Sequence, residues 1–304
     1  MKSGNPAALI AGAALGLLTA LHAPTAAAYC RTAACKDGTG ARCTPSLGTD
    51  CGKEIFWPKQ CVSFSMQRDA SEQVSLDLAT SVFVEAFKKW TEADCGGGTH
   101  PHIEIVDLGP VECHAHEYNQ KAANANIILF HDDVWPHPGA GSTLALTTVT
   151  YSVDSGEIYD ADMELNAANT PFSTGDSKVT YDLHSIATHE TGHFLGLSHS
   201  QDPTATMYRD YIPGTIDLRT LEPDDIEGIC SIYPPGDPIP DSCDPSPRRG
   251  FASICSPPPI DPEAGGCCST APGAPRGMGS AAVTTLLLGL GIAARRRGDR
   301  SRRR

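Results

Sequence analysis

Apolar positions along the middle of the chain follow two rhythms. Between 61 and 67 they alternate, with Val62, Phe64 and Met66 on one side, which predicts a strand. Between 76 and 90 they recur at helical spacing. Leu78, Val82, Phe83, Ala86, Phe87 and Trp90 share one face and Lys88 and Lys89 lie opposite, the pattern of an amphipathic helix. Shorter apolar runs predict strands at 102–106, 126–130, 144–152 and 157–166. A second helix is expected over 183–195, where Asp182 can accept hydrogen bonds from first-turn N–H groups. A third fits 223–232, opening with Pro223, Asp224 and Asp225. No internal repeat is present.

Both ends break the pattern. Residues 1–28 combine Lys2, an apolar run from Ala7 to Leu21 and the small residues Ala26, Ala27 and Ala28, the three parts of a secretory signal peptide cleaved after Ala28. At the other end, 278–294 is apolar and uncharged, and seven arginines follow between Arg295 and Arg304. That run is just long enough to cross a membrane, with the arginines held inside. Gly266-Cys267-Cys268-Ser269 precedes it. A cysteine, a short apolar span and a terminal arginine cluster together resemble the C-terminal sorting tails of myxobacterial surface proteins. The resemblance implies a tail that is processed near Cys267 or Cys268; a plain single-pass anchor is the alternative. Either reading puts the body outside the cell, at the surface, on the outer membrane or in the medium.

Charge narrows the function. Residues 29–268 hold 14 basic against 35 acidic side chains, a net charge of −21. Such a body repels phosphate backbones, which excludes nucleic-acid binding. Ten cysteines lie between Cys30 and Cys255, an even number without a C-x-x-C pair, so disulfides are expected rather than zinc clusters. Cys243 and Cys255 are expected to pair locally. Half of the 24 prolines fall between 234 and 275, which reads as a stalk. The expected organisation is a signal peptide (1–28), a Cys-rich segment (29–60), a catalytic domain (61–235), a Pro-rich linker (236–266) and the tail (267–304).

The chemistry concentrates in His189-Glu190-Thr191-Gly192-His193-Phe194-Leu195-Gly196-Leu197-Ser198-His199-Ser200. His189 and His193 are one helical turn apart and project from the same side, where two imidazoles can share one zinc ion. Glu190 sits on the rim of that face, able to take a proton from water beside the metal without ligating it. On a continuing helix His199 would point away. Gly196 supplies the exit, since glycine takes the positive φ that ends a helix. Three neutral histidines leave one tetrahedral position open, as catalytic zinc requires.

This extended pattern resembles the metzincin metalloproteases, and Ser200 after the third histidine points to the matrixin branch. Thr206-Met207-Tyr208 resembles the Met-turn that supports the zinc site, although Arg209 stands where a proline is common. Residues 221–234 resemble the family's closing helix. The resemblance implies an α+β fold, a metzincin-like catalytic domain with a mixed twisted sheet, an active-site helix and a C-terminal helix. It implies zinc on His189, His193 and His199, Met207 beneath them, and Glu190 as general base for peptide hydrolysis. The expected edge strand, about 144–151, would pair with an extended protein or peptide substrate.

Departures from the family matter too. Leu146 and Tyr159 stand where vertebrate-type matrixins carry histidines for a second, structural zinc, so one zinc is expected. Asp160, Asp162 and Glu164 share one side of a strand and suit calcium, or equally a solvated acidic face. The 32 residues 29–60 leave no room for the family's helical pro-domain; their cysteines are expected in disulfides rather than on zinc. His100, His102, His114 and His116 read as loop residues. A monomer is expected. The competing function is a catalytically silent surface or adhesion protein that keeps the fold, with a small-molecule hydrolase as a weaker third.

Overall fold

The computed structural model describes residues 29–34, 43–44, 48–49, 52–254, 283–288 and 291–292. The expected signal peptide, Cys267, Cys268 and the terminal arginines lie outside them. Strand β1 (Cys61–Met66) has all six side chains buried, more than its alternation implied. Its parallel neighbours, β2 (Glu104–Asp107) and β3 (Ile127–Phe130), make it an interior strand. Strands β4 (Ala145–Ser152) and β5 (Ile158–Leu165) pair antiparallel, and β5 runs parallel to β3. The order β2-β1-β3-β5-β4 is a mixed sheet.

Helix α1 (Leu76–Thr91) buries Ala79, Val82, Phe83, Ala86, Phe87 and Trp90. Leu78, expected on that face, is 41% exposed, because the buried stripe begins at Ala79. Helix α2 (Leu183–Phe194) packs on α1, and α3 (Pro223–Ile232) begins and ends where expected. Ring contacts of 5.0 Å from Phe64 to Phe87 and from Phe87 to Phe194 connect β1, α1 and α2. These edge-to-face and tilted pairs add to the burial energy of the rings themselves.

Disulfides join Cys61 to Cys243 and Cys95 to Cys230, and Cys30 and Cys113 are disulfide-bonded as well. Cys243 thus bonds the first residue of β1 and not Cys255. Its surroundings explain the difference: residues from 236 to 254, expected as linker, run along the domain. Lys59 Nζ donates to the Ser246 carbonyl at 2.7 Å, Asn124 Nδ2 donates to the Arg248 carbonyl at 3.0 Å, and the Arg248 guanidinium lies 4.0 Å over the Tyr159 ring. The Cys-rich segment also packs on the domain, with Cys30–Arg31 antiparallel to Leu197–Ser198.

The apolar run near the C-terminus is a strand where it is described. Strand β6 (Val283–Leu288) lies antiparallel along the outer edge of β4, from Val283 opposite Ser152 to Leu288 opposite Thr147. Beyond it, Gly291–Ile292 runs parallel to Asp210–Tyr211. The unpaired N–H and C=O groups of an edge such as β4 invite this pairing, and Val283, Thr284 and Thr285 are β-branched. Among the described residues no helix is long and apolar enough to cross a membrane.

Candidate metal centre and active site

Helix α2 is held firmly at its start. The buried Asp182 carboxylate accepts from the Ser185 N–H at 2.8 Å, and the Arg219 guanidinium grips it through Nε and Nη2 at 2.8 and 2.6 Å. A planar fork on a carboxylate is a strong, geometrically specific pair. From there α2 carries His189, Glu190 and His193 into full burial.

Each helical histidine is oriented by a backbone carbonyl. His189 Nδ1 donates to the Thr206 carbonyl at 2.7 Å, and His193 Nδ1 donates to the Leu197 carbonyl at 2.9 Å. A carbonyl only accepts, so each Nδ1 carries the proton and each Nε2 presents a lone pair. His189 Nε2 is buried with no hydrogen-bond partner. His193 Nε2 and His199 Nε2 face each other at 3.2 Å, and the three rings lie 4.7–5.3 Å apart. Two nitrogens bound tetrahedrally at about 2.0–2.1 Å from zinc are separated by about 3.3 Å. Burial, followed by the charge of neighbouring His199, pushes His189 down to about 3, and His193 shifts in the same direction. Neutral rings, aimed lone pairs and an orphaned buried nitrogen all fit zinc.

Two glycines shape this pocket. Gly196 has φ +100°, and a Cβ there would meet the Ile55 carbonyl oxygen at 2.8 Å. The Thr32 N–H donates to the Gly196 carbonyl at 3.0 Å, so the N-terminal segment braces the turn that brings His199 back. Gly196→Ala is expected to cost about 1–3 kcal/mol of stability and to weaken zinc binding, read by urea unfolding and by competition with a chromogenic chelator. A variant matching wild type in both would show that this turn does not set the site. Gly192, one of the unspecified positions of the motif, is equally constrained: a Cβ there would lie 2.3 Å from Met207 Sδ and 2.8 Å from Trp90. Met207 therefore sits directly beneath α2.

What holds Met207 in place was not visible in the motif. The Thr206 and Met207 N–H groups donate to the Asp225 carboxylate at 2.7 and 3.0 Å, and the Glu222 N–H joins them at 2.9 Å. Ser200 Oγ donates to Asp224 at 2.6 Å, while the Ser200 N–H donates to the Met207 carbonyl at 2.8 Å. Asp224 and Asp225, read in the sequence only as charges favouring a helix start, clamp the turn below the histidines. The capping-box pattern at Glu222 and Asp225 was the available signal.

Glu190 is fully buried, and its Oε2 accepts from Thr147 Oγ1 at 2.6 Å. Thr147 belongs to β4, so the carboxylate is fixed to the strand that borders the site. Other expectations fall elsewhere. His184 is half-buried in the first turn of α2 and is not part of the triad. Tyr159 stacks with Tyr118, ring centroids 6.1 Å apart, and carries Arg248 on its face. Asp160, Asp162 and Glu164 are all buried, not a solvated face. Three imidazoles surround Glu164, among them His116, which the sequence placed in an open loop.

Comparison with known proteins places the chain in a family. Residues 56–234 match the family model for matrixin. Human neutrophil collagenase is 34% identical over 139 residues, covering 42% of this chain and 28% of that protein. Metalloendoproteinase 1 of Glycine max is 32% identical over 160 residues, covering 52% and 46%. Human matrix metalloproteinase-16 is 39% identical over 119 residues, covering 39% and 19%. This chain thus spans less than half the length of each of these relatives. The matched segment runs from Phe56 through the histidine triad and the Met207 turn to the end of α3, and the chain belongs to the matrixin family.

Proposed function

We propose that this protein is an exported zinc-dependent endopeptidase that hydrolyses peptide bonds of protein substrates, with Glu190 as general base. One observation carries the reading: three imidazole nitrogens converge around the helix that carries Glu190, whose carboxylate is tied to β4. His189, His193 and His199 would hold zinc, which when bound supplies Lewis acidity, polarising a carbonyl and making water a better nucleophile. The Glu190 carboxylate, positioned by Thr147, takes a proton from the attacking water. It then returns that proton to the departing amine nitrogen as the C–N bond breaks. The same glutamate serves both halves of the reaction. That Glu190 is present and held in place weighs against the silent adhesion protein. The disulfides suit an oxidising compartment, in keeping with residues 1–28 as an export signal.

Cleavage of casein by the purified full chain tests the activity. A chelator is expected to abolish it and added zinc to restore it; cleavage that persists without metal overturns the assignment.

Substrate binding brings β6 into play. An extended peptide pairing with β4 needs the backbone groups that Val283–Leu288 engages. A chain ending at Ile254 is therefore expected to show a lower KM than the full chain at an unchanged kcat. Equal KM values would mean that β6 does not compete with substrate.

A further inference from the structure

On the face of β5 opposite Ala161, Met163 and Leu165, which enter the main core, Glu164 is 1% exposed and meets three histidines from separate segments. His116 comes from the loop after β2, His131 directly follows β3, and His137 lies in the loop before β4. His116 Nδ1 and His137 Nε2 approach the same carboxylate oxygen, Oε2, at 3.1 and 2.9 Å. His131 Nε2 holds the other oxygen, Oε1, at 2.7 Å. We infer that His116, His137 and Glu164 form a second metal site, for zinc, with His131 orienting the carboxylate.

The donor set decides the class of metal. Two imidazoles and a carboxylate suit zinc, whereas calcium takes oxygen ligands almost without exception. The three ligand atoms lie within 4.8 Å of one another, within reach of a single ion. Neighbouring contacts hold them in place before any metal binds. Asp162, two residues before Glu164 on the same face, accepts from the Glu117 N–H at 2.9 Å and from the Ile127 N–H at 2.8 Å. The first of these bonds anchors the residue next to His116. Trp135 stands edge-on to both His137 and His131, centroids 5.0 and 5.6 Å apart. Such support around a ligand is what fixes its direction. A metal here would tie two loops to the centre of the sheet.

The site uses neither of the positions on which the single-zinc expectation rested, Leu146 and Tyr159. It is also independent of the protease reading, because its ligands are not those of the catalytic triad.

Metal analysis of the purified full chain tests the inference directly. Wild type is expected to carry two zinc ions per chain. His199→Ala and the double variant His116→Ala/His137→Ala should each carry one. The double variant should keep Glu190-dependent cleavage and show a smaller zinc-dependent thermal stabilisation than wild type. Cobalt substitution of His199→Ala should still give the visible bands of a tetrahedral nitrogen–oxygen site. Should the double variant fail to fold, the zinc count of wild type and His199→Ala still decides. One zinc in wild type, or none in His199→Ala, overturns the inference. So does calcium in place of zinc at this site, detected as a calcium ion that Glu164→Gln removes and His116→Ala/His137→Ala retains.

Discussion

Glu190→Gln is expected to lower peptide cleavage by about 10²–10⁴-fold, the usual contribution of a positioned general base. The amide keeps the size of the side chain and can still accept from Thr147 Oγ1 through its carbonyl oxygen. It cannot take up the proton that attacking water must lose. Because Glu190 contributes no atom to the histidine cluster, zinc content should remain that of wild type. The discriminating measurement is kcat/KM on a quenched-fluorescence peptide together with metal analysis of the same sample. Full activity in the variant, or zinc loss equal to that of His189→Ala, would contradict the role assigned to Glu190.

Asp225→Ala should cause the largest loss of stability. Its carboxylate, 1% exposed, accepts three backbone N–H groups, from Thr206, Met207 and Glu222. Each buried donor left without a partner costs about 1–3 kcal/mol, so a total of at least about 3 kcal/mol is expected. That is a large part of a typical folding free energy. Thr206 also carries the carbonyl that orients His189, so zinc affinity should fall with stability. Asp225→Asn keeps one accepting oxygen and should fall between the two. Urea unfolding at saturating zinc, followed by chelator competition, measures both effects. A variant within 1 kcal/mol of wild type would show that the turn holds itself.

The three helices could be read from the sequence because their signals are local. Asp182 and Pro223 mark two of the starts, and periodicity marks the face of α1. The triad was legible for the same reason: a turn of helix and a glycine place all three histidines within eleven residues. What escaped depends on long-range contact. Thr147 meets Glu190 across 43 residues, and His116 meets Glu164 across the whole of β3 and β4. Neither pair leaves a periodic trace. Gly192 looked like an ordinary unspecified residue until Met207 and Trp90 were seen beneath it. The partner of Cys243 was equally hidden, since ten cysteines permit many connectivities and only the path of 236–254 selects Cys61.

The two staples also bear on timing. Cys61–Cys243 and Cys95–Cys230 close loops of 182 and 135 residues, and cross-links over such spans remove about 5 kcal/mol of chain entropy each from the unfolded state. Cys230 lies in α3, the helix whose first turn carries Asp224 and Asp225. In a reducing compartment the thiols stay apart, and the clamp beneath Met207 rests on packing and hydrogen bonds alone. With the thiols reduced, the turn beneath Met207 is therefore expected to be held less firmly than in the cross-linked chain.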